Sequence, residues 1–356
     1  MTISKNKENI KINNNKKFKD KIIQLSHGDG GTKTGELINN LLLKYFGNEI
    51  LNKLEDSAVL NCSSKKIAYT TDSFVVNPIF FPGGDIGKLS VCGTINDLVT
   101  TGCSPLAISL SFILEEGFLV SDFKKILSSI KDTLDDTNLK IVTGDTKVVE
   151  KGSVDKIFIN TSGIGFLGNN IDISPCKIEV GDKILINGGI AEHGTAILSI
   201  RKEFNFKTSI VSDCAPLSSM VNDMLSVSKK IHALRDATRG GLASILFELA
   251  RASETNINIY EDKIPVKKEV RGICEFLGLD PLYIANEGKM VVFVDRKDAD
   301  KVLQAMKKNK YGKDSQIIGE VTEKGEKGEG GVILITKLGT RRVLALHYSE
   351  QLPRIC

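Results

Sequence analysis

Short apolar runs that end in an acid, alternating with stretches of helical periodicity, constrain this chain more than any other feature of its sequence. Asp56, Asp72, Asp97, Asp145 and Asp236 all stand at such ends. The densest case follows the turn Phe81-Pro82-Gly83-Gly84, where Ile86, Leu89, Cys92, Ile95 and Val99 recur at helical spacing until Gly102 stops the helix. A buried stripe accounts for those apolar residues. It does not account for Asn96-Asp97, because an acid in the second half of a helix opposes the helix dipole. A residue that costs stability where it stands is a candidate for function.

The rest of the first half reads in the same terms. His27-Gly28-Asp29-Gly30-Gly31 precedes a helical pattern through Leu37, Leu41 and Leu42, and lacks the GK[ST] ending of a Walker loop. It is either an anion-binding backbone or a plain turn. Glu55 to Leu60, Lys66 to Asp72 and Leu106 to Leu114 read as strands. Ser121 caps an amphipathic helix carrying Phe123, Ile126, Leu127, Ile130 and Leu134. Gly144, Asp145 and Lys147 lie just beyond a buried strand, and Lys156 to Gly165 is another.

In the second half, Lys183 to Ile186 is a strand, and Glu192-His193-Gly194 opens a helix in which His193 is a cap or a packing residue. A helix runs from about Leu217 to Ile231. Arg235 to Gly241 precedes the helix of Leu242, Ile245, Leu246 and Leu249; there Asp236 or Thr238 is a simple N-cap, or the segment receives phosphate or metal. Glu287 lies in Ala285 to Lys289, between the apolar runs Leu282–Ile284 and Met290–Val294. It is a base of raised pKa caught between strands, or the solvated tip of a hairpin. Asp298 starts a helix, Glu320 to Glu329 is a loop, and Val332 to Thr336 and Val343 to His347 are the last strands.

A length of 356 residues fits two domains. They are expected at 21–168 and 175–337, with a disordered Lys/Asn-rich tail at 1–20 and a last strand and mobile tail at 338–356. The net charge of +4 resides in the first tail, which has six lysines against Glu8 and Asp20. Without aromatic interleaving or an arginine cluster it is not a nucleic-acid arm. No run of 18 apolar residues and no signal peptide occurs, so a cytoplasmic protein without a membrane partner is expected. The 7 cysteines form no CxxC pair, which excludes a disulfide framework or zinc finger. Cys356 differs from the other six, because a thiol at the end of a chain can leave the surface. Recurrent carboxylates suit magnesium held between protein and substrate phosphates. With glycine-rich backbone and no P-loop, they suggest ATP bound in an unusual way.

Read in order, the segments Phe80 to Lys88 and Cys92 to Leu98, the glycine loop at His27, Glu55-Asp56 and Thr71-Asp72-Ser73 resemble the HypE hydrogenase maturation family. So do Gly144 to Lys147, Arg235 to Gly241, Asn286 to Lys289 and the closing Pro353-Arg354-Ile355-Cys356. The wider group includes aminoimidazole ribonucleotide synthetase and selenophosphate synthetase. Asp29 stands where Ser is common in the family, and Ser57 where Gln is. The resemblance implies a two-domain α/β (α+β) synthetase-like fold, a mixed sheet with flanking helices in each domain, and a barrel formed across a homodimer. It implies ATP-dependent dehydration of a carbamoyl group on the Cys356 thiol to a thiocyanate. The carbamoyltransferase HypF would load the group, and a HypC–HypD complex would take the cyano group onto iron for [NiFe]-hydrogenase. ATP and Mg2+ would be held by Asp56, Asp72, Asn96, Asp97, Gly144, Asp145 and Asp236, with the metal on Asp56, Asp72, Asp97 and Asp236. Glu287 would be the base, and Lys147 would stabilise developing negative charge or pair with Glu287. Two rivals are another synthetase of the group, against which the glycine loop's lack of a cysteine counts, and a non-enzymatic metal-binding thiol tether.

Overall fold

The structure, a computed structural model, describes residues 17–28, 32–54, 58, 60, 66–168, 171–201, 208–326, 329–345 and 354–356. The expected strand at Glu55–Leu60 lies almost wholly outside these residues, as do Asp29 to Gly31 of the glycine loop. The first domain begins with α1 (Thr32–Leu37) and α2 (Leu43–Phe46), joined by one π-helical turn, with Leu37 and Leu41 buried. Strand β1 (Ile67–Phe74) leads to the hairpin β2 (Phe80–Phe81) and β3 (Gly84–Asp85), then α3 (Ile86–Val99), β4 (Ser104–Glu115), α4 (Val120–Thr137), β5 (Ile141–Val149) and β6 (Ile157–Phe166). The sheet order is β1-β6-β4-β5, parallel only between β4 and β5. Helices α3 and α4 pack together over the Phe74, Ile95, Phe112, Phe123 and Ile126 core.

The second domain contains β7 (Lys183–Ile186), α5 (Glu192–Ile200), α6 (Ser218–Val227), β8 (Ile231–Asp236), α7 (Gly241–Ser253), β9 (Thr255–Tyr260) and α8 (Lys268–Leu277). It closes with β10 (Met290–Val294), α9 (Ala299–Lys308), β11 (Gln316–Lys324), β12 (Val332–Ile335) and β13 (Arg341–Leu344). These form a mixed seven-stranded sheet in the order β13-β12-β9-β11-β7-β10-β8. Strand alternation divides its core: Ile184, Ile186, Val291 and Phe293 meet the α7 face, whereas Leu185, Val292 and Val294 meet α6 and α9.

Several sequence expectations change here. Leu119, not Ser121, occupies the N-cap of α4. The helix expected to Ile231 stops at Val227, because Ile231 to Asp236 pairs with β10. Strand pairing also claims Glu320 to Lys324, expected as loop, and Thr255 to Tyr260 and the α8 helix were not foreseen. Within the segment expected as a tail, Phe18 is buried and Asp20 pairs with His27 and Lys33, while residues 1–16 lie outside those described. Asp145 and Lys147 lie within edge strand β5 rather than beyond it.

Candidate active site

The site lies where the two domains meet. Alternation along β1 directs Ala68, Thr70, Asp72 and Phe74 toward α3. From α3, Asp97 accepts a hydrogen bond from Thr70 Oγ1 at 2.9 Å. Asp85 caps that helix by accepting from the Gly87 and Lys88 N–H groups at 2.7 and 3.1 Å. Asp236, the last residue of β8, is buried in the sheet rather than capping α7, whose N-cap is Gly240. Burial raises the pKa of Asp72 and Asp97. Burial, and then the charge of Asp97, raises Asp236 to about 7, against the pull of Arg235.

The Met290–Asp236 register sets Glu287 beside this cluster. Its backbone N–H donates to the two Asp213 oxygens at 3.2 and 3.3 Å, and its carbonyl accepts from Asn96 Nδ2 at 3.2 Å. Asn187 takes the Met290 N–H at 2.8 Å and donates to the Gly288 carbonyl at 2.9 Å. Gly288 has to be glycine, since a Cβ there would collide with the Asp213 carbonyl oxygen. Asp213 and Lys289 form a buried pair at 3.0 Å. Burial works to raise Asp213, but the Lys289 charge, its hydrogen bond and the Glu287 N–H outweigh it and hold the carboxyl below its usual value. With its backbone pinned, Glu287 is only 3% exposed and its Oε1 has no hydrogen-bond partner. Burial, followed by the nearby Cys214, Asp213, Asp236 and Asp72, raises its pKa well above that of an ordinary glutamate. Glu287 is thus the buried group, not a solvated hairpin tip.

Residues Arg354 to Cys356 dock into the same place. The Val75 N–H donates to the Cys356 carbonyl at 3.2 Å, and the thiol accepts from Arg239 Nη2 at 3.2 Å. Positive φ at Gly240 and Gly241 lets the backbone turn directly into α7 after Arg239. Burial and the Glu287 carboxyl push the Cys356 thiol up to about 11 despite Arg239.

One chain does not gather all the expected residues. Lys147 pairs with Asp145 at 2.9 Å on the exposed β5 edge, not with Glu287. The Asn96 amide is engaged within the protein. It is buried, its Nδ2 is used by the Ala215 and Glu287 carbonyls, and its Oδ1 accepts the Leu217 N–H at 2.8 Å. Gly144 admits the Leu110 carbonyl where a Cβ would collide, beside a cavity of about 160 Å³ lined by Thr34, Leu42, Leu54, Phe112 and Asp145. Asp56 lies outside the described residues. Arg239 and Lys289 were visible within quoted motifs, but Asp213, in a stretch without periodicity, gave no sequence signal. Among the described residues no three His, Cys, Asp or Glu side chains converge to hold a metal ion, and no helix is long and apolar enough to cross a membrane.

Two mixed-sheet domains with an acid-rich cleft between them place the chain among the AIR synthase related proteins. The family's N-terminal domain matches residues 54–167 and its C-terminal domain residues 179–331. Within that class the chain belongs to the HypE carbamoyl dehydratases. It is 43% identical over 339 residues to carbamoyl dehydratase HypE of Escherichia coli K12, covering 94% of this chain and 99% of that protein. A crystal structure of HypE in complex with ATP superposes with a TM-score of 0.88 at 43% identity, covering 94% of this chain and 99% of that one. A HypE–HypF complex gives 0.76 at 48% identity, covering 87% and 99%.

Proposed function

We propose that this chain dehydrates a carbamoyl group carried on its own Cys356 to a thiocyanate, consuming ATP. The observation that carries this reading is the docked Cys356 thiol, which meets Arg239 near the Glu287 carboxyl, whose Oε1 is buried without a hydrogen-bond partner. An amide oxygen is a poor leaving group. Transfer of the ATP γ-phosphoryl group to the carbamoyl oxygen makes it a good one, and its departure as phosphate with loss of the nitrogen protons leaves the carbon triply bonded to nitrogen. Catalysis then consists of holding the two reactants in line and removing a proton. Glu287 takes that proton, and its high proton affinity suits it once it is ionised. Arg239 orients the sulfur and offsets negative charge beside it.

ATP binding is supported by the HypE relative crystallised with ATP. The apolar cavity beside Gly144 and Asp145 is the candidate place for the base. Asp72, Asp97 and Asp236 fit Mg2+: beyond burial, Asp97 raises the pKa of both Asp72 and Asp236, and a cation relieves that repulsion. The lack of a protein-only cage among the described residues suits an ion that takes one or two carboxylates and completes its shell with phosphate and water. When bound, Mg2+ neutralises phosphate charge; Asp56 is the fourth ligand candidate.

HypF as the loading partner is supported by the complex of HypF with a relative. The cyano group then passes to iron on HypC–HypD in the cytoplasm. Homodimerisation and a role for Lys147 go together: the outer sheet face exposes Ile67, Tyr69 and Ile113, and Lys147 lies on that face. A face-to-face partner would bring Lys147 toward a site it does not reach within one chain. Cys356→Ala is expected to abolish cyano-group formation while ATP affinity, measured by calorimetry, stays within about threefold, because the thiol touches no phosphate site. Loss of nucleotide binding in that variant contradicts the division of roles.

A further inference from the structure

The closing residues are held mainly through their backbone carbonyls, and two of the holding groups come from the ends of one helix. Helix α5 presents His193 in its first turn and Arg201 at its C-cap. His193 Nε2 lies 2.7 Å from the Ile355 carbonyl oxygen. Arg201 Nη2 donates to the Arg354 carbonyl at 3.1 Å, and Arg201 Nε to the Asn77 carbonyl at 3.2 Å. The first domain supplies the facing wall, with the Asn77 N–H on the Arg354 carbonyl at 3.1 Å and Asp155 on the Arg354 guanidinium at 2.8 Å.

His193 has no contact with the Cys356 sulfur, and the chemistry above leaves it unused. Its protons are nevertheless specified. A carbonyl only accepts, so Nε2 must carry hydrogen. The ring is fully buried, and burial lowers its pKa against the pull of the Asp213 charge and the Ile355 carbonyl, which favours the neutral form. Nδ1 is then a bare acceptor for the Ser212 hydroxyl at 2.8 Å, and Ser212 Oγ in turn accepts the Cys214 N–H at 3.1 Å. Phe81 meets the imidazole edge-on at 5.3 Å between centroids and fixes its plane. A buried histidine with one tautomer, one rotamer and its donor aimed at the residue before Cys356 is arranged for positioning.

We propose that His193, oriented by Ser212, is the latch that holds Cys356 in the site, and that with Arg201 it sets how often the tail is docked rather than projecting. This rests on the carbamoyl-carrier reading for its consequence. A carrier must leave the site to be loaded and return to react, so a weaker latch speeds loading and slows dehydration. A merely structural histidine would not move the two half-reactions in opposite directions.

The test is alkylation of Cys356 by iodoacetamide in the full-length protein without nucleotide, followed by mass spectrometry of the C-terminal peptide to separate it from the exposed Cys176. Docked, the thiol is covered and hard to ionise, so the rate reads the projecting fraction. His193→Leu and Ser212→Ala are each expected to raise it about tenfold, the population shift that one buried hydrogen bond commands. His193→Gln, whose amide N–H can replace Nε2–H, is expected to stay within about threefold of wild type. Unchanged rates in both the Leu and Ala variants overturn the latch, and so does His193→Gln matching His193→Leu. Should His193→Leu fail to fold, Ser212→Ala alone decides. The nitrogen-15 spectrum of wild type is expected to show the Nε2–H tautomer; an Nδ1–H tautomer overturns the arrangement. None of these measurements uses ATP or a carbamoyl donor, so they can fail while the dehydration chemistry stands, and the reverse.

Discussion

The proposed chemistry turns on the side chain of Glu287. Its Oε1 is buried without a partner, and its raised pKa arises from burial first and the surrounding Cys214, Asp213, Asp236 and Asp72 second. A base with a raised pKa is protonated at low pH and becomes active as pH rises. An ordinary glutamate would be fully ionised above about pH 6. Single-turnover dehydration of pre-carbamoylated protein is therefore expected to climb with pH through the neutral range. The carbamoylated sulfur has no proton to titrate, so Cys356 cannot imitate that profile. In Glu287→Gln the climb should vanish, with the rate down at least about a hundredfold; a flat wild-type profile from pH 6 upward counts against Glu287. The acid itself was legible in the sequence, because it interrupts two apolar runs. Whether it is buried or the solvated tip of a hairpin was not, because that depends on Asp213 and Asn96, which lie 74 and 191 residues away along the chain.

At the scale of elements, the turn from Asn286 to Met290 owes its shape to groups that reach it from other elements. Asn187 brackets Gly288 and Met290, and the Asp213–Lys289 pair closes the other side with both side chains at least 90% buried. Removing one partner of such a pair leaves an uncompensated buried charge. Lys289→Ala is expected to cost about 3–5 kcal/mol in urea unfolding, and Asp213→Asn combined with Lys289→Met to recover most of it. A cost below about 1 kcal/mol for Lys289→Ala would show that the turn is held by its backbone bonds alone. Periodicity found α3, α4, α7 and α9 because each shows one clear apolar stripe or capped start. It missed β8 and carried the α6 helix on to Ile231, where pairing with β10 begins instead. It also placed Asp145 and Lys147 outside β5, since exposed edge positions look like loop in one dimension.

For the whole molecule, the two domains meet through Asn96 on α3 and through Asp136, which accepts from Lys310 and Tyr311 at 2.5 and 2.6 Å. The cleft they form receives the Cys356 segment on one side and Asp72, Asp97 and Asp236 on the other. Two-domain organisation was readable from length and from the repeated strand-and-helix pattern, and the acids at strand ends were readable one by one. That Asp72 on β1, Asp97 on α3 and Asp236 on β8 come within electrostatic reach of one another while Asp145 stays on the opposite edge strand depends on sheet order and on how the two domains meet, which no local pattern encodes. The outer face of the first sheet carries Tyr69 at 68% exposure beside Ile67. If the proposed homodimer uses this face, Tyr69→Glu is expected to shift sedimentation toward monomer, because a charge would be buried in the shared face; unchanged sedimentation of a dimer would contradict that use of the face. The most direct test of the account is the intact mass of the protein incubated with HypF and its substrates, with ATP for the dehydration step withheld or supplied, and with the adduct located by peptide mapping. A carbamoyl adduct on Cys356 without that ATP, converted with it to an adduct lighter by one water, is the predicted result. ATP consumption with Cys356 unmodified, or an adduct on another cysteine, would contradict it.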